Sequence, residues 1–372
     1  MICKNCLALN TSSNKFIGDI CSACLNFEKR KKIDWKSRKK IFISLFKRDK
    51  KSDYDCVVPV SGGKDSTYQV IKLLETGSKP LAVCIDTGHM SDIGKKNLEN
   101  LRKLGVELCT IKFAKNLSNK LSRIGLIETG DIEWIENMAV NCGVTNLTSK
   151  LGIKKILWGE NSQNEYGGPA SLSESYLLNY KVWLKEFGGQ LNLDVKKISK
   201  KYNLILPNLF LSYLPFNQIK KIKSIYLGYF FKWDGFENYN YVKKYGFKSF
   251  NKRVSGCILN YENIDNYHDG VHDYFRYLKI GMGRTHDQVS RLLRRKMISK
   301  SKGLEYIRKF DGELPKSYLN VKLEKILDDI KISNKKFIEL SVKYTNWNIF
   351  DKRNSKISKN SYRPQLKSKF KL

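Results

Sequence analysis

The chain has no run of about eighteen consecutive apolar residues, the length a helix needs to cross a bilayer, so no membrane span is expected. Its opening, MICKNC, holds no apolar stretch of the signal-peptide kind, and a soluble, cytoplasmic protein is the expectation. Neither GxxxxGK[ST] nor GxGxxG occurs, which excludes a Walker A loop and a dinucleotide-binding fingerprint. Arginine is scarce: of 69 basic residues 14 are Arg and 55 are Lys, although Arg is favoured where phosphate is gripped by two parallel hydrogen bonds. The formal net charge of +33 therefore has two readings, a polyanionic partner or the Lys-, Ile- and Asn-rich composition of an AT-rich genome. Charge alone does not choose between a solvated surface, nucleic acid, an anionic substrate and an acidic partner. The rest is ordinary: 372 residues, 41% hydrophobic, are enough for two or three domains and a sizeable core.

Cysteine is crowded at one end. Cys3-x2-Cys6 and Cys21-x2-Cys24 are separated by fourteen residues. In a reducing compartment two such knuckles bring four thiolates within tetrahedral reach of one Zn²⁺, and four ligands leave no open position for catalysis. The competing reading is two unrelated pairs, or disulfides in an oxidising compartment. Cys56, Cys84, Cys109, Cys142 and Cys257 are scattered, as small core residues are.

Beyond the knuckles, residues 26–51 are basic and helical in pattern, with Trp35, Ile41, Phe42 and Phe46 available to pack on a neighbour. A βαβα rhythm follows. Strands are expected at 55–60, 79–86, 106–111 and 154–161, and helices at 65–76, 92–104, 115–127 and 132–151. The expected fold class is α/β: a doubly wound parallel sheet with an N-terminal zinc ribbon and a mostly helical C-terminal region. Ligands of such sheets bind at the carboxyl ends of the strands, which puts Ser61–Ser66, Asp86–His89 and Gly159–Asn161 on one rim. Residues 162–250 are loop-rich and aromatic, too irregular for further βα units, and 268–345 are helical in pattern. Residues 352–372 carry eight Lys or Arg and no acid and read as a mobile tail. The expected partition is a ribbon over 1–27, a basic helical linker over 28–51, a nucleotide-binding domain over 52–205, a substrate region over 206–350 and a tail over 351–372.

The chemistry concentrates in DCVVPVSGGKDSTYQV, residues 55–70. An apolar strand runs into Ser61-Gly62-Gly63-Lys64-Asp65-Ser66 and then into a helix whose Val70, Ile71, Leu73 and Leu74 face a core. Such a turn aims backbone N–H groups and a helix N-terminus at one point, and its glycines permit positive φ and close approach. Phosphate is the expected guest. A strand followed by SGGKDS resembles the pyrophosphate (PP) loop of the ATP pyrophosphatase superfamily. The resemblance implies that Ser61, Gly62, Gly63, Lys64, Asp65 and Ser66 hold the β,γ-pyrophosphate of ATP with Mg²⁺ bridging, while an acceptor oxygen attacks the α-phosphorus.

A narrower resemblance rests on the CxxC…CxxC unit, NFEKRKKIDW, GKKNLENLRKLG, LWGEN and the late DGVHDYFRYLKIGMGRTHDQVSRLLRRKMISKSKGLEYIRKFDGELP. Across about residues 1–345 the chain is similar to the N-acetyl sugar amidotransferases of WbpG/PseA type. That likeness implies conversion of an acetamido group of a bacterial surface sugar, nucleotide-linked or free, to an acetamidino group for O-antigen or nonulosonic acid. It also implies ammonia from a HisH-like glutaminase with a HisF-like subunit, and ATP, Mg²⁺ and Zn²⁺ as cofactors. Nucleic acid is then not the expected partner.

Other candidates are weighed against plainer roles. Asp86 resembles positions near the adenosine or metal of the superfamily, or caps a turn. His89 and Tyr166 are candidates for the sugar, the one a satisfied surface histidine otherwise, the other part of an ordinary Tyr-Gly-Gly turn. Glu160 and Asn161 are expected to hold Mg²⁺ or the sugar amide and, with Lys64 and Asp65, to carry catalysis. Arg284, Arg291 and Arg294, with Arg295, are four arginines in twelve residues of an arginine-poor chain; they bind an anionic sugar carrier or are a solvated helix face. The aromatic run Tyr229–Trp233 stacks on a sugar or base, or is core. Two rival functions stand beside the sugar enzyme: a PP-loop tRNA-modifying enzyme (thiolation or lysidine-type), which the charge suits, and a non-catalytic zinc-ribbon binding module.

Overall fold

Val57 and Val58 point to opposite faces of one strand and both are fully buried, the mark of a sheet covered on both sides. The computed structural model describes residues 1–11, 15–160, 175–179, 195–207, 211–353, 357–358 and 361–370. In chain order, β1 (Phe16–Ile17) and β2 (Ile20–Cys21) form a small antiparallel ribbon, followed by α1 (Ser22–Lys29) and α2 (Trp35–Leu45). Next come β3 (Cys56–Pro59), α3 (Lys64–Leu74), β4 (Pro80–Asp86), α4 (Asp92–Lys103), β5 (Glu107–Lys112), α5 (Lys115–Thr129), α6 (Trp134–Lys150) and β6 (Lys155–Trp158). Then follow α7 (Val195–Tyr202), β7 (Lys223–Tyr226), α8 (Gly235–Lys243), α9 (Asp269–Ile280), α10 (Arg284–Arg294) and α11 (Lys300–Phe310). Helices over Leu323–Asp329 and Asn334–Lys343 close the helical region.

The central sheet has the order β5-β4-β3-β6-β7, all parallel. The chain starts in the middle, winds outward through β4 and β5, then returns to β6 on the other side of β3. The reversal between β3 and β6 leaves a crevice at their carboxyl ends, where open α/β sheets bind ligands. One face sets Cys56, Val58, Ala82, Cys84, Leu157 and Ile225 against Tyr68, Val70, Ile71 and Leu73 of α3 and Leu98 and Leu101 of α4. The other sets Val57, Leu81, Val83 and Ile156 against Val144 of α6. Alternation of strand residues between two buried layers is what a doubly wound sheet requires, and the expected α/β class is the observed one. Among the described residues no helix is long and apolar enough to cross a membrane.

Two expectations fail. The stretch 162–250 does hold another strand: β7 pairs with β6 from Lys155↔Lys223 to Trp158↔Tyr226. Four residues with two of them buried carry too little pattern to distinguish a strand from a loop. The tail is also not free along its described length. Tyr362 is fully buried, its carbonyl accepts from the Tyr274 hydroxyl at 2.7 Å and its own hydroxyl lies 2.7 Å from Thr345 Oγ1. The segment is rich in Lys and Arg, but the buried rings of Tyr362 and Phe370 and the hydrogen bonds of Tyr362 anchor it.

Candidate active site

The Ser61–Ser66 loop joins β3 to α3 at that crevice. Gly62 has φ +86°, and a Cβ there would stand 2.3 Å from the carbonyl oxygen of Gly94 in the first turn of α4, so only glycine fits. Gly94 is in turn held against Asp265, whose Cα a Cβ on Gly94 would approach to 2.9 Å. The loop is tied internally: Ser66 Oγ accepts from Ser61 N at 3.3 Å and donates to Gly63 O at 3.1 Å, and Thr67 Oγ1 donates to the same carbonyl at 3.0 Å. The N-terminus of α3 is capped by Gly63 without a side-chain acceptor. An uncapped helix start keeps its N–H groups for an anion.

The loop forms one wall of a cavity of about 350 Å³ lined by Ser61, Gly63–Ser66, Gln69, Trp158–Glu160, Tyr261–Asn263, Asp265, Arg284 and Arg291 among others. Lys64 is almost wholly buried, its Nζ 2.6 Å from Asp65 Oδ2 and 3.5 Å from Glu262 Oε1. Burial alone would lower its pKa, but the Asp65 and Glu262 carboxylates outweigh it and raise the value. Glu262 is buried too; burial would raise its pKa, yet Arg291 and Lys64 hold it well below the carboxylate range. Arg291 Nη1 donates to Glu262 Oε1 at 3.0 Å, and Gln288 Nε2 donates to Oε2 at 3.2 Å. Asn238 Nδ2 donates to Asp65 Oδ1 at 3.2 Å. Burial pushes Asp265 upward, partly offset by its bond to the Ser61 hydroxyl. Gln69 Oε1 and Trp158 Nε1 are buried without a partner among the described residues, and both residues line this cavity. Loop, orphaned polar groups and carboxylates fit a nucleotide triphosphate with a hard cation: backbone N–H and Lys64 for phosphate, and Asp65, Glu160 and Asp265 for Mg²⁺.

The sequence candidates divide. Ser61, Gly63, Lys64, Asp65, Ser66, Glu160, Arg284 and Arg291 line the cavity, and Gly62 shapes its loop. Arg284 is held there by a two-pronged pair with Asp273, Nε at 3.1 Å and Nη2 at 2.9 Å. Asp86 does not line it and accepts from Gly88 N at 2.8 Å, the turn role. His89 is fully buried outside the cavity, between Glu136 Oε1 (2.8 Å) and Asn119 Oδ1 (3.0 Å), because Thr87–Met90 folds in under Tyr267 and His268. Arg294 points away as well: its Nη1 lies 3.8 Å from Cys6 Sγ. In α10, residues 286, 290 and 294 share the face turned to the knuckles, while 284, 288 and 291 share the other. Asn161 and Tyr166 lie outside the described residues. The aromatic run is largely core, with Phe230 and Trp233 buried.

Cys3, Cys6, Cys21 and Cys24 are buried free thiols with one ligand atom each within 4.8 Å of the others. The Cys3–Cys24 and Cys6–Cys21 sulfurs are 3.8 and 3.5 Å apart, near the ~3.8 Å edge of a tetrahedron with metal–sulfur bonds of about 2.3 Å. His286 Nε2 and Ser290 Oγ meet the carbonyls of Leu7 and Cys6 at 2.8 Å each, so α10 seats the knuckles on one side and the cavity on the other.

Glu262, Asp265, Gln69, Trp158 and Asn238 do not stand out in the sequence. The Glu-Asn-Ile-Asp stretch, with Glu262 and Ile264 buried, has no periodicity, and its one signal is acid beside an apolar residue.

Residues 223–364 match the family model described as LPS biosynthesis protein WbpG-like, C-terminal domain. No curated protein matches the chain. Among solved structures, the predicted subunit of a tRNA methyltransferase from Methanocaldococcus jannaschii is 16% identical, over 45% of this chain and 74% of that one, with a TM-score of 0.24. NMN synthetase from Francisella tularensis is 14% identical, over 50% of this chain and 81% of that one, also at 0.24. The cavity residues that face the Ser61–Ser66 loop, Glu262, Asp265, Arg284 and Arg291, lie within the stretch 223–364 that matches this family model.

Proposed function

We propose that this chain is an ATP-dependent amidotransferase that converts an acetamido group of a surface-polysaccharide or nonulosonic-acid sugar precursor to an acetamidino group. One observation carries the reading: an anion-binding loop of pyrophosphatase type and a WbpG-like domain line the same cavity. ATP is a substrate here. Its pyrophosphate rests on the Gly62–Ser66 backbone and Lys64, its α-phosphorus turned toward Glu160 and the C-terminal wall. The acetamido oxygen attacks the α-phosphorus and pyrophosphate leaves; ammonia then adds to the activated carbon and AMP departs with the oxygen, leaving C=NH. No covalent bond to the protein forms, so the protein's work is positioning and charge neutralisation. Mg²⁺, held by Asp65, Glu160 or Asp265, would neutralise phosphate charge. Zn²⁺ in the four thiolates would be structural, bracing α10. A HisH-like glutaminase with a HisF-like subunit would supply ammonia, which ammonium chloride replaces in vitro.

The test is AMP and pyrophosphate release from ATP, Mg²⁺ and ammonium chloride, with nucleotide-linked and free N-acetyl sugars in one arm and bulk tRNA in the other. AMP release that requires the sugar, with C=O replaced by C=NH in the product by mass spectrometry, is the expected result. Release that requires tRNA alone would overturn it.

A further inference from the structure

His89, Glu136 and His268 come from three distant parts of the chain and meet in the interior, each offering one ligand atom within 4.8 Å of the others. Both histidines are fully buried, and their rings stack with centroids 3.7 Å apart. Neither ring nitrogen of His268 has a hydrogen-bond partner among the described residues, and Glu136 Oε2 has none either. A buried imidazole carries one N–H and one lone pair, and leaving both unmatched is costly. His268 Nδ1 nonetheless faces Glu136 Oε1 at 3.9 Å. His89 Nε2 rests on Asn119 Oδ1 at 3.0 Å, the outer contact that fixes a ligating histidine's tautomer and turns its Nδ1 inward. Thr87 Oγ1 and Asn266 Nδ2 bond Glu136 Oε1 at 2.9 and 3.4 Å and orient the carboxylate.

We infer that His89, Glu136 and His268 bind a second divalent ion, of the Zn²⁺ class, separate from the four-cysteine site. Two imidazoles and a carboxylate suit zinc and its transition-metal neighbours, whereas Mg²⁺ and Ca²⁺ take oxygen ligands alone. The unmatched Glu136 Oε2 is the protein atom available to complete a fourth position. The site sits on a seam: His89 follows β4, Glu136 lies in the first turn of α6, and His268 caps α9 in the WbpG-like domain. Tyr267 N donates to His89 O at 3.1 Å and Ser91 N to Asp265 O at 2.8 Å across the same seam. The ion would clasp the sheet to that domain and hold Asp265, three residues before His268, toward the loop.

The full-length protein, purified without chelator, is expected to hold two metal equivalents by plasma mass spectrometry. E136Q combined with H268Q should hold one. On cobalt substitution the double variant should keep its thiolate-to-cobalt charge-transfer band, which reports an intact four-cysteine site and fold, while d–d intensity falls. One equivalent in the wild type, or two in the variant, would overturn the inference. Should the variant not fold, zinc X-ray absorption of the wild type decides: mixed sulfur and nitrogen/oxygen scattering is expected, and a purely sulfur shell refutes it. Neither readout depends on sugar or ATP turnover, so the second site stands or falls apart from the proposed function.

Discussion

The two walls of the cavity are built on different principles. The loop wall is six consecutive residues, Ser61–Ser66, whose backbone course is set by glycine at positive φ and by a helix start without a side-chain cap. The opposite wall gathers Glu262, Asp265, Arg284 and Arg291 from residues 262–291, far from the loop in sequence, and its groups are side-chain charges, several of them already paired with one another. Lys64 is where the walls meet, shared by Asp65 of its own loop and Glu262 of the opposite wall. A backbone wall tolerates almost no change of shape, while a charge wall tolerates shape but not loss of a partner.

The largest effect should come from the backbone wall. Gly62→Ala places a Cβ against the Gly94 carbonyl and forces alanine to positive φ, costing about 1–3 kcal/mol in backbone strain before the clash is counted. ATP binding by calorimetry should be lost. Gly105 is the control: it too has positive φ, but a Cβ there would meet nothing within 4 Å, and G105A should bind ATP normally. If G62A binds ATP as well as G105A does, the loop is not the phosphate site.

In the charge wall, Glu262→Ala leaves Lys64 and Arg291 buried without their shared carboxylate. Breaking a buried pair from one side costs about 3–5 kcal/mol, read as a fall in denaturation midpoint. Lys64→Ala should cost less in stability, because Arg291 still satisfies Glu262, but should lower the rate of ATP cleavage by about 10²–10³, the usual effect of losing one electrostatic donor at a reacting phosphate or oxyanion. Its thiol-bound metal content should not change. An E262A loss no larger than that of a surface substitution would mean the two walls are not electrostatically joined.

The difference between the walls is also the difference in what the sequence shows. SGGKDS is legible because every group it uses is local, and CxxC…CxxC because two tight knuckles fix ligand spacing within a few residues. The strands β3, β4 and β6 are legible because a doubly covered sheet writes apolar runs. Glu262, Asp265 and the His89–Glu136–His268 group have no such record, since their neighbours are set by how α6, α9 and α10 fold onto the sheet. Arg294 shows the same limit from the other side: four arginines in one stretch look alike in sequence, yet Arg291 lines the cavity and Arg294 reaches Cys6. The position of His89 just past a strand is legible too, but no pattern says that its loop turns inward.

The smallest effect, and the most discriminating, is in pH. Glu262 has its pKa held below the usual range, against burial, by Arg291 and Lys64. A carboxylate depressed in the folded state contributes stability that is fully present above the unfolded value of about 4.3 and disappears as pH falls through the folded one. Glu262→Gln keeps the shape and removes the titration. Wild type should therefore exceed E262Q in thermal midpoint near neutrality, and the gap should narrow as pH falls below about 4.3. Other buried acids with lowered values, Asp131 and Asp287, are present in both proteins and cancel in the difference. A gap that stays constant to the lowest pH at which both proteins fold would mean that Glu262 serves by shape rather than charge, and that Lys64 answers to Asp65 alone.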